Sequence, residues 1–224
     1  MNVLVTAGNT QAPIDRVRCV TNVFSGRTGG RIAAEAHRRG HAVTLLTSHP
    51  EVVADPASDP ARWHVRTYRT YDDLDRLMGG LIPAGGFDVV IHAAAVSDYA
   101  VAGVYTGPDP GAPRLDTAGK ITSRHGELWL RLVPVPKLVD KVRREWGFRG
   151  VLVKFKLEVG VTEAELLAVA ERSRAQSSAD VMVANAFETR HEWAYLGVRG
   201  GPYEKLPRDE LAPRLLAAVE GLLG

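Results

Sequence analysis

The run Phe87–Ala95, FDVVIHAAA, is apolar at odd and even positions alike. A strand with one wet face alternates apolar and polar residues. A strand without such alternation is covered on both sides, as in the middle of a parallel sheet. Val3–Thr6, Ala42–Thr47, Val151–Leu157 and Val181–Ala184 read the same way, and Trp63–Thr67, Leu128–Val133 and Trp193–Val198 add weaker strand-like runs. Helical stretches lie between them. The first follows Gly26 and is stopped by Gly40. Others cover Tyr71–Met78, Pro136–Trp146 and Pro207–Leu223, the last with Leu211, Leu215, Val219 and Leu222 on one stripe. Thr162 and Glu165 have capping-box spacing and open a helix running to about Arg174. Strands alternating with helices predict an α/β fold, a Rossmann-like and mostly parallel sheet with helices on both faces.

No linker divides the 224 residues, which predicts one domain over 1–224. Three irregular stretches interrupt the alternation: Asn9–Ser25, His49–Ala61 and Asp98–Gly126. The last is too long and too rich in Gly and Pro for a plain connector, so an inserted flap or dimer arm is expected at about 98–126. Lys plus Arg total 28 against 26 Asp plus Glu, a net charge of +2. That balance argues against a globally basic nucleic-acid or membrane binder. The one cysteine, Cys19, excludes an internal disulfide and a cysteine zinc cage. No apolar run reaches the roughly 18 residues of a membrane span, and the N-terminus enters a strand without signal-peptide character, so a cytoplasmic protein is expected.

In such folds ligands bind beyond the carboxyl ends of the strands. That rule selects Gly8 onward, Ala94 onward, Phe155 onward and Asn185. The glycines from Gly26 at a helix start suit an anion, because free N–H groups and the positive helix end favour phosphate. A nicotinamide-binding protein would place G-x-G-x-x-G directly between first strand and first helix and an acid after the second strand. Here Gly8 and Gly26 are far apart, and the second strand ends Thr47-Ser48-His49. Arg18 and Asn22 stand one turn apart if their loop coils. Arg18 suits a phosphate or carboxylate, and the Asn22 amide suits a carbonyl or oxyanion. Asp98 fits a ligand or Mg²⁺ as well as a helix cap. Lys120 reads as flap surface. His37 and His41 read as a solvated pair, His92 as a satisfied core residue, and Cys19 as incidental. Lys154 and Lys156 share one face of a mostly buried strand, an expensive placement unless an anion or a solvent cleft meets them.

Several ordered motifs carry a resemblance: Thr6-Ala-Gly-Asn-Thr-Gln-Ala-Pro-Ile-Asp, Val17-Arg-Cys-Val-Thr-Asn-Val-Phe-Ser-Gly-Arg-Thr-Gly, Ala93-Ala-Ala-Val-Ser-Asp-Tyr, Gly119-Lys-Ile-Thr-Ser, Val133-Pro-Val-Pro-Lys-Leu, Lys154-Phe-Lys-Leu-Glu and Val183-Ala-Asn-Ala-Phe-Glu. Together they resemble the phosphopantothenoylcysteine synthetases over most of the chain. Phe-Lys-Leu-Glu and Lys-Ile-Thr-Ser are closer to the stand-alone, eukaryotic-type branch than to bifunctional bacterial enzymes, and no flavin-binding half is expected.

The resemblance implies a ligase of coenzyme A biosynthesis. The carboxylate of 4′-phosphopantothenate attacks the α-phosphate of ATP or CTP with Mg²⁺ present. The amine of L-cysteine then displaces the nucleotide from the acyl carbon. It implies that Asn22 touches phosphopantothenate and steadies the acyl carbonyl, with Arg18 near it. Ala94, Ala95 and Asp98 match the pantothenate side. Gly8, Ser25, Gly26 and Gly29 match the nucleotide-phosphate loop, and Phe155 and Asn185 the base and ribose. Lys120 matches a flap lysine reaching the reacting phosphate, and Lys156 is a further phosphate candidate. The metal ligands are not identified. Asn9 and Phe24 depart from the family pattern at a usual Gly and Ser. A homodimer is implied, with the flap approaching the partner's site. The competing expectations are an NAD(P)-dependent reductase and a non-catalytic nucleotide or pantetheine-phosphate binder.

Overall fold

The computed structural model describes residues 1–53, 59, 61–109 and 111–224. Parts of the His49–Ala61 and Asp98–Gly126 segments therefore lie outside the described residues. The chain opens with β1 (Asn2–Ala7), a short hairpin β2 (Gln11–Pro13) and β3 (Cys19–Thr21), α1 (Arg27–Arg38), β4 (Ala42–Thr47), β5 (Trp63–Thr67) and α2 (Tyr71–Ala84). It continues with β6 (Val89–His92), β7 (Tyr99–Tyr105), β8 (Trp129–Pro134), α3 (Leu138–Arg144), β9 (Val151–Glu158) and α4 (Glu163–Gln176). It ends with β10 (Val181–Ala186), β11 (Trp193–Val198), β12 (Tyr203–Pro207) and α5 (Leu211–Leu223).

One eight-stranded sheet runs in the order β12-β11-β10-β9-β6-β1-β4-β5. The six strands from β10 to β5 pair in parallel, whereas β11 and β12 join antiparallel at one edge. The chain builds outward from β1 on one side, then returns to place β6 on the other. This reversal puts a crevice at the carboxyl ends of β1 and β6.

Both faces are covered, which explains the missing alternation. Val3, Val5, Ile91, Val153 and Val183 pack against α1 and α5 through Ile32, Leu215 and Val219. Leu4, Val90 and Leu152 pack against α2 and α3 through Leu74, Met78, Leu138 and Val142, and α4 closes the sheet over Met182 and Ala184. Each such aliphatic side chain contributes about 1.5–3 kcal/mol when fully buried. Thr70 and Thr162 cap α2 and α4 through reciprocal boxes with Asp73 and Glu165.

Several sequence expectations need correction. The Asn9–Ser25 loop contains the β2–β3 hairpin, so Arg18 and Asn22 are not one helical turn apart; cross-strand pairing from Gln11–Thr21 to Pro13–Cys19 won. The Gly- and Pro-rich arm is not structureless: β7 pairs with β8, which extends the arm to Pro134. α2 runs on to Ala84, past Met78, and α3 starts at Leu138, two residues after Pro136. Leu222 faces solvent, 45% exposed, in the last turn of α5, whose buried stripe is Leu211, Leu215, Leu216 and Val219. His37 and His41 are not a solvated pair. The His37 ring stands edge-on to Trp63 at 5.5 Å, and His41 Nε2 meets Glu220 at 2.8 Å.

Candidate functional site

A cleft of about 900 Å³ opens where the carboxyl ends of β1, β6, β9 and β10 meet the start of α1. The polypeptide approaches itself unusually closely at its floor. Gly8 has φ +91° and a Cβ there would sit 2.2 Å from Ser48 Oγ. Gly26, the residue before α1, has φ +83°, and its Cβ would sit 2.1 Å from the Gly8 nitrogen. Only glycine combines that left-handed backbone with that separation. Gly29 lets α1 lie against Ala7 of β1, and Ser25 and Gly26 line the cleft where α1 presents its unpaired N–H groups.

Asn22 reaches across from the end of the β2–β3 hairpin. Its Nδ2 donates to the Ala95 carbonyl at 2.9 Å, which leaves one amide N–H unspent. The Asn22 carbonyl in turn accepts from Asn9 Nδ2 at 2.6 Å, and the Asn9 backbone N–H donates to Ser48 Oγ at 2.9 Å. Asn9 is therefore a buried fastener that fixes Asn22. Asn22, Ala94, Ala95 and Asp98 share one wall of the cleft, and Phe24 lines it too. Asp98 caps no helix; its carboxylate is exposed, 3.7 Å from Lys137 Nζ.

The α1–α5 side of the sheet carries Phe155 and Asn185. Asn185 Oδ1 accepts from Arg208 Nη1 at 2.6 Å, while Arg208 Nη2 donates to Thr28 Oγ1 at 2.6 Å. Among the described residues no carboxylate lies within 4 Å of this guanidinium. Burial first, and then nearby Arg31, lower its pKa. The opposite side of the sheet carries His92, Lys154 and Lys156. His92 is buried with its Nδ1 on Thr6 Oγ1 at 3.0 Å. Burial, and secondarily Lys154, push it down to about 4, so it is neutral at neutral pH. Lys156 meets Glu158 at 2.8 Å.

Arg18 and Lys120 are absent from the described lining. The Arg18 guanidinium holds the buried Asp15 carboxylate at 2.6 Å and donates to the Ile121 carbonyl at 2.6 Å. Asp15 also accepts the Ile121 N–H at 3.0 Å. Arg18 thus pins the base of the arm, and Lys120, next in chain, is exposed there. Burial alone would raise the Asp15 carboxyl; the Val17 N–H, Arg18 and the Ile121 N–H outweigh it and hold it well below the ordinary carboxylate range.

Sequence reading missed Arg27, Thr28, Arg31, Lys137, Arg190 and Arg208, all of which line the cleft. No motif marks Arg208, because it enters the site only through the β11–β12 return, which was half-recognised. With Lys154 and Lys156, seven Lys and Arg side chains line the cleft against one carboxylate among the described residues. The whole chain is nearly balanced, so the imbalance belongs to this site.

Residues 1–219 match the model of the DNA/pantothenate metabolism flavoprotein C-terminal domain family, and the chain belongs to that family. It is 34% identical over 228 residues to the coenzyme A biosynthesis bifunctional protein CoaBC of Thermococcus kodakarensis, covering 99% of this chain and 51% of that protein. It is 30% identical over 185 residues to the protein of the same name from Escherichia coli, covering 83% of this chain and 41% of that one. The chain thus spans about half the length, or less, of these curated relatives. The DNA/pantothenate metabolism flavoprotein from Streptococcus pneumoniae superposes with a TM-score of 0.84 at 26% identity, covering 99% of both chains. A Cab2 mutant, solved in complex with phosphopantothenate-cysteine, superposes at 0.78 with 18% identity, over 99% of this chain and 87% of that one, and bears on the fold.

Proposed function

We propose that the chain is a phosphopantothenate–cysteine ligase, joining 4′-phosphopantothenate to L-cysteine through an acyl-nucleotide. The observation that carries this reading is the charge of the cleft, where six exposed or half-buried Lys and Arg side chains, besides the buried Lys154, face one carboxylate among the described residues. Both substrates of the first step are anions, and bringing them together needs cations and oriented donors rather than a strong nucleophile. The phosphates of ATP or CTP would lie over Gly8, Ser25, Gly26 and Gly29, within reach of Arg208 and Arg31. The base and ribose would meet Phe155 and Asn185. The pantothenate arm would lie along Ala94 and Ala95, where small side chains admit the ligand to the backbone. The second N–H of Asn22 is free for the acyl carbonyl.

Mg²⁺ takes one or two carboxylates plus phosphate oxygens. Among the described residues no three His, Cys, Asp or Glu side chains gather to hold a metal. Asp98, the single carboxylate lining the cleft among the described residues, is the protein group that would hold the ion with the nucleotide, where it would neutralise phosphate charge. Lys120 would act from the arm and Arg18 from the hairpin that pins its base; the arm's exposed Tyr99, Trp129, Leu130 and Leu132 suit burial against a second copy of the chain. No helix among the described residues is long and apolar enough to cross a membrane, which is compatible with a cytoplasmic enzyme. The reductase alternative is not favoured: the β2–β3 hairpin occupies the place of the dinucleotide fingerprint, and β4 ends without an acid.

The test is pyrophosphate release by the purified protein with Mg²⁺ and 4′-phosphopantothenate, ATP and CTP in parallel, with and without L-cysteine. Release that requires phosphopantothenate, with an amide formed on adding cysteine, is expected. Binding of both substrates by folded protein without release would establish the non-catalytic reading instead.

A further inference from the structure

Lys154 is a buried amine on the cleft wall to which the assignments above give no role. It is 6% exposed and sits opposite His92 in the β6–β9 register. Its Nζ donates to the Ser173 carbonyl at 2.9 Å and to Ser177 Oγ at 2.5 Å. The Ser177 hydroxyl hydrogen is directed to Asp140 Oδ1 at 2.5 Å, so toward Lys154 this oxygen acts as an acceptor. No carboxylate among the described residues lies within 4 Å of Nζ, since Asp140 stands behind Ser177. A neutral amine has two N–H groups and one lone pair. Here both N–H groups have acceptors, and the fourth tetrahedral position of Nζ remains for the lone pair or for a third proton.

The surroundings favour exchange between those two states. Burial lowers this lysine to about 8; Asp140 on α3 opposes the fall, and Lys137 before α3 and Lys156 on β9 add to it. His92 on β6 is neutral, α4 offers the Ser173 and Ser177 oxygens, and β10 places apolar Met182 in register with it.

We propose that Lys154 is the catalytic base of the second half-reaction, taking the proton from the attacking amino group of the amino-acid substrate. This rests on the ligase reading above. The nitrogen–carbon bond forms at the acyl carbon, the acyl–oxygen bond to the phosphate breaks, and the nucleoside monophosphate leaves with that electron pair. The α-ammonium loses two protons on the way to the amide: the first passes to Nζ as the amine becomes free to attack, and the second leaves the nitrogen to water as the acyl–oxygen bond breaks. Nζ, now a cation with three N–H groups, releases its proton to solvent in the open cleft before the next turnover. A base whose pKa lies near the working pH is the condition for efficient transfer.

The experiment compares the wild type with Lys154→Arg and Lys154→Met in three measurements on folded protein: pyrophosphate release with phosphopantothenate and nucleotide, amide formation with L-cysteine across pH, and trapping of the acyl group by hydroxylamine. Hydroxylamine is already unprotonated at neutral pH and needs no base. Both variants should release pyrophosphate and yield hydroxamate within about threefold of wild type, while the rate of amide formation falls by about 10²–10⁴-fold. The wild-type amide-forming step should show an ionisation near 8 that both variants lose. Three results would overturn the proposal. A Lys154→Arg variant neither slower nor altered in pH profile would mark an anion-holding charge. An equal loss of hydroxamate and amide would mark a structural or first-step role. A rise in the KM for cysteine at unchanged kcat would mark a carboxylate-binding group. Should Lys154→Met not fold, Ser177→Ala tests the same point: removing an acceptor of the Nζ ammonium lowers the lysine pKa and shifts the amide profile to lower pH. A wild type that releases no pyrophosphate refutes the ligase itself, and is distinguishable because every arm is then silent.

Discussion

Gly26→Ala isolates the contact on which the phosphate-binding end of α1 depends. Position 26 has φ +83°, and the added Cβ would stand 2.1 Å from the Gly8 nitrogen, 2.7 Å from Gly8 Cα and 2.9 Å from the Ala7 carbonyl carbon. All three are backbone atoms, so no side chain can swing aside. The left-handed conformation costs an alanine about 1–2 kcal/mol, and overpacking typically adds about 1–3 kcal/mol. The expected loss is about 3 kcal/mol, which for a chain of this size lowers Tm on the order of 10 °C. Denaturant unfolding at fixed protein concentration measures it, with Gly80→Ala as the control. Gly80 lies within α2 and nothing stands within 4 Å of its added Cβ, so that change should stabilise by about 0.5–1 kcal/mol. A Gly26→Ala protein within about 0.5 kcal/mol of wild type would show that α1 and β1 do not meet as described, and the argument for the anion site would fall with it.

Asn22→Ala should lower kcat by about 10²–10³-fold, the cost of one preorganised oxyanion donor, while urea unfolding shows little change; undiminished turnover removes Asn22 from the mechanism. Arg208→Met should raise the KM for nucleotide by about tenfold or more, since a charge-assisted bond contributes about 1.5–3 kcal/mol; an unchanged KM would make Arg208 a tie between α1 and β10 only. The lowered Asp15 carboxyl stabilises the fold above its ordinary 3.8 and loses that contribution as pH falls through the still lower folded value. The stability gap between wild type and Asp15→Asn, measured by unfolding from pH 7 down to 2, should therefore be largest at neutral pH and narrow below about 4. A gap independent of pH would refute it.

Local sequence was sufficient wherever one element carries its own pattern. Val151–Leu157 and Ala42–Thr47 read as buried strands because both their faces are apolar, and Thr162–Glu165 marks a helix start because the capping box closes within one turn. The place of Gly8 and Asn185 at the carboxyl ends of parallel strands, and of Gly26 at the start of α1, was legible in the same way, and all three line the cleft. The joining of the two strands of the arm was not legible. Tyr99–Tyr105 and Trp129–Pro134 pair across a long irregular excursion, and nothing within either strand names its partner. Nor was the Arg208 contact legible, because it joins Thr28 and Asn185, positions separated by most of the chain. The excess of positive charge is the plainest case. Composition averages 28 basic against 26 acidic side chains over the whole surface. Only the folding of α1, the turn before α3, β9, the β10–β11 loop and the β12–α5 turn to the carboxyl end of the parallel strands gathers seven of the cations into one cleft. Charge density at a site is a property of distance in space, and the linear order of residues does not carry it.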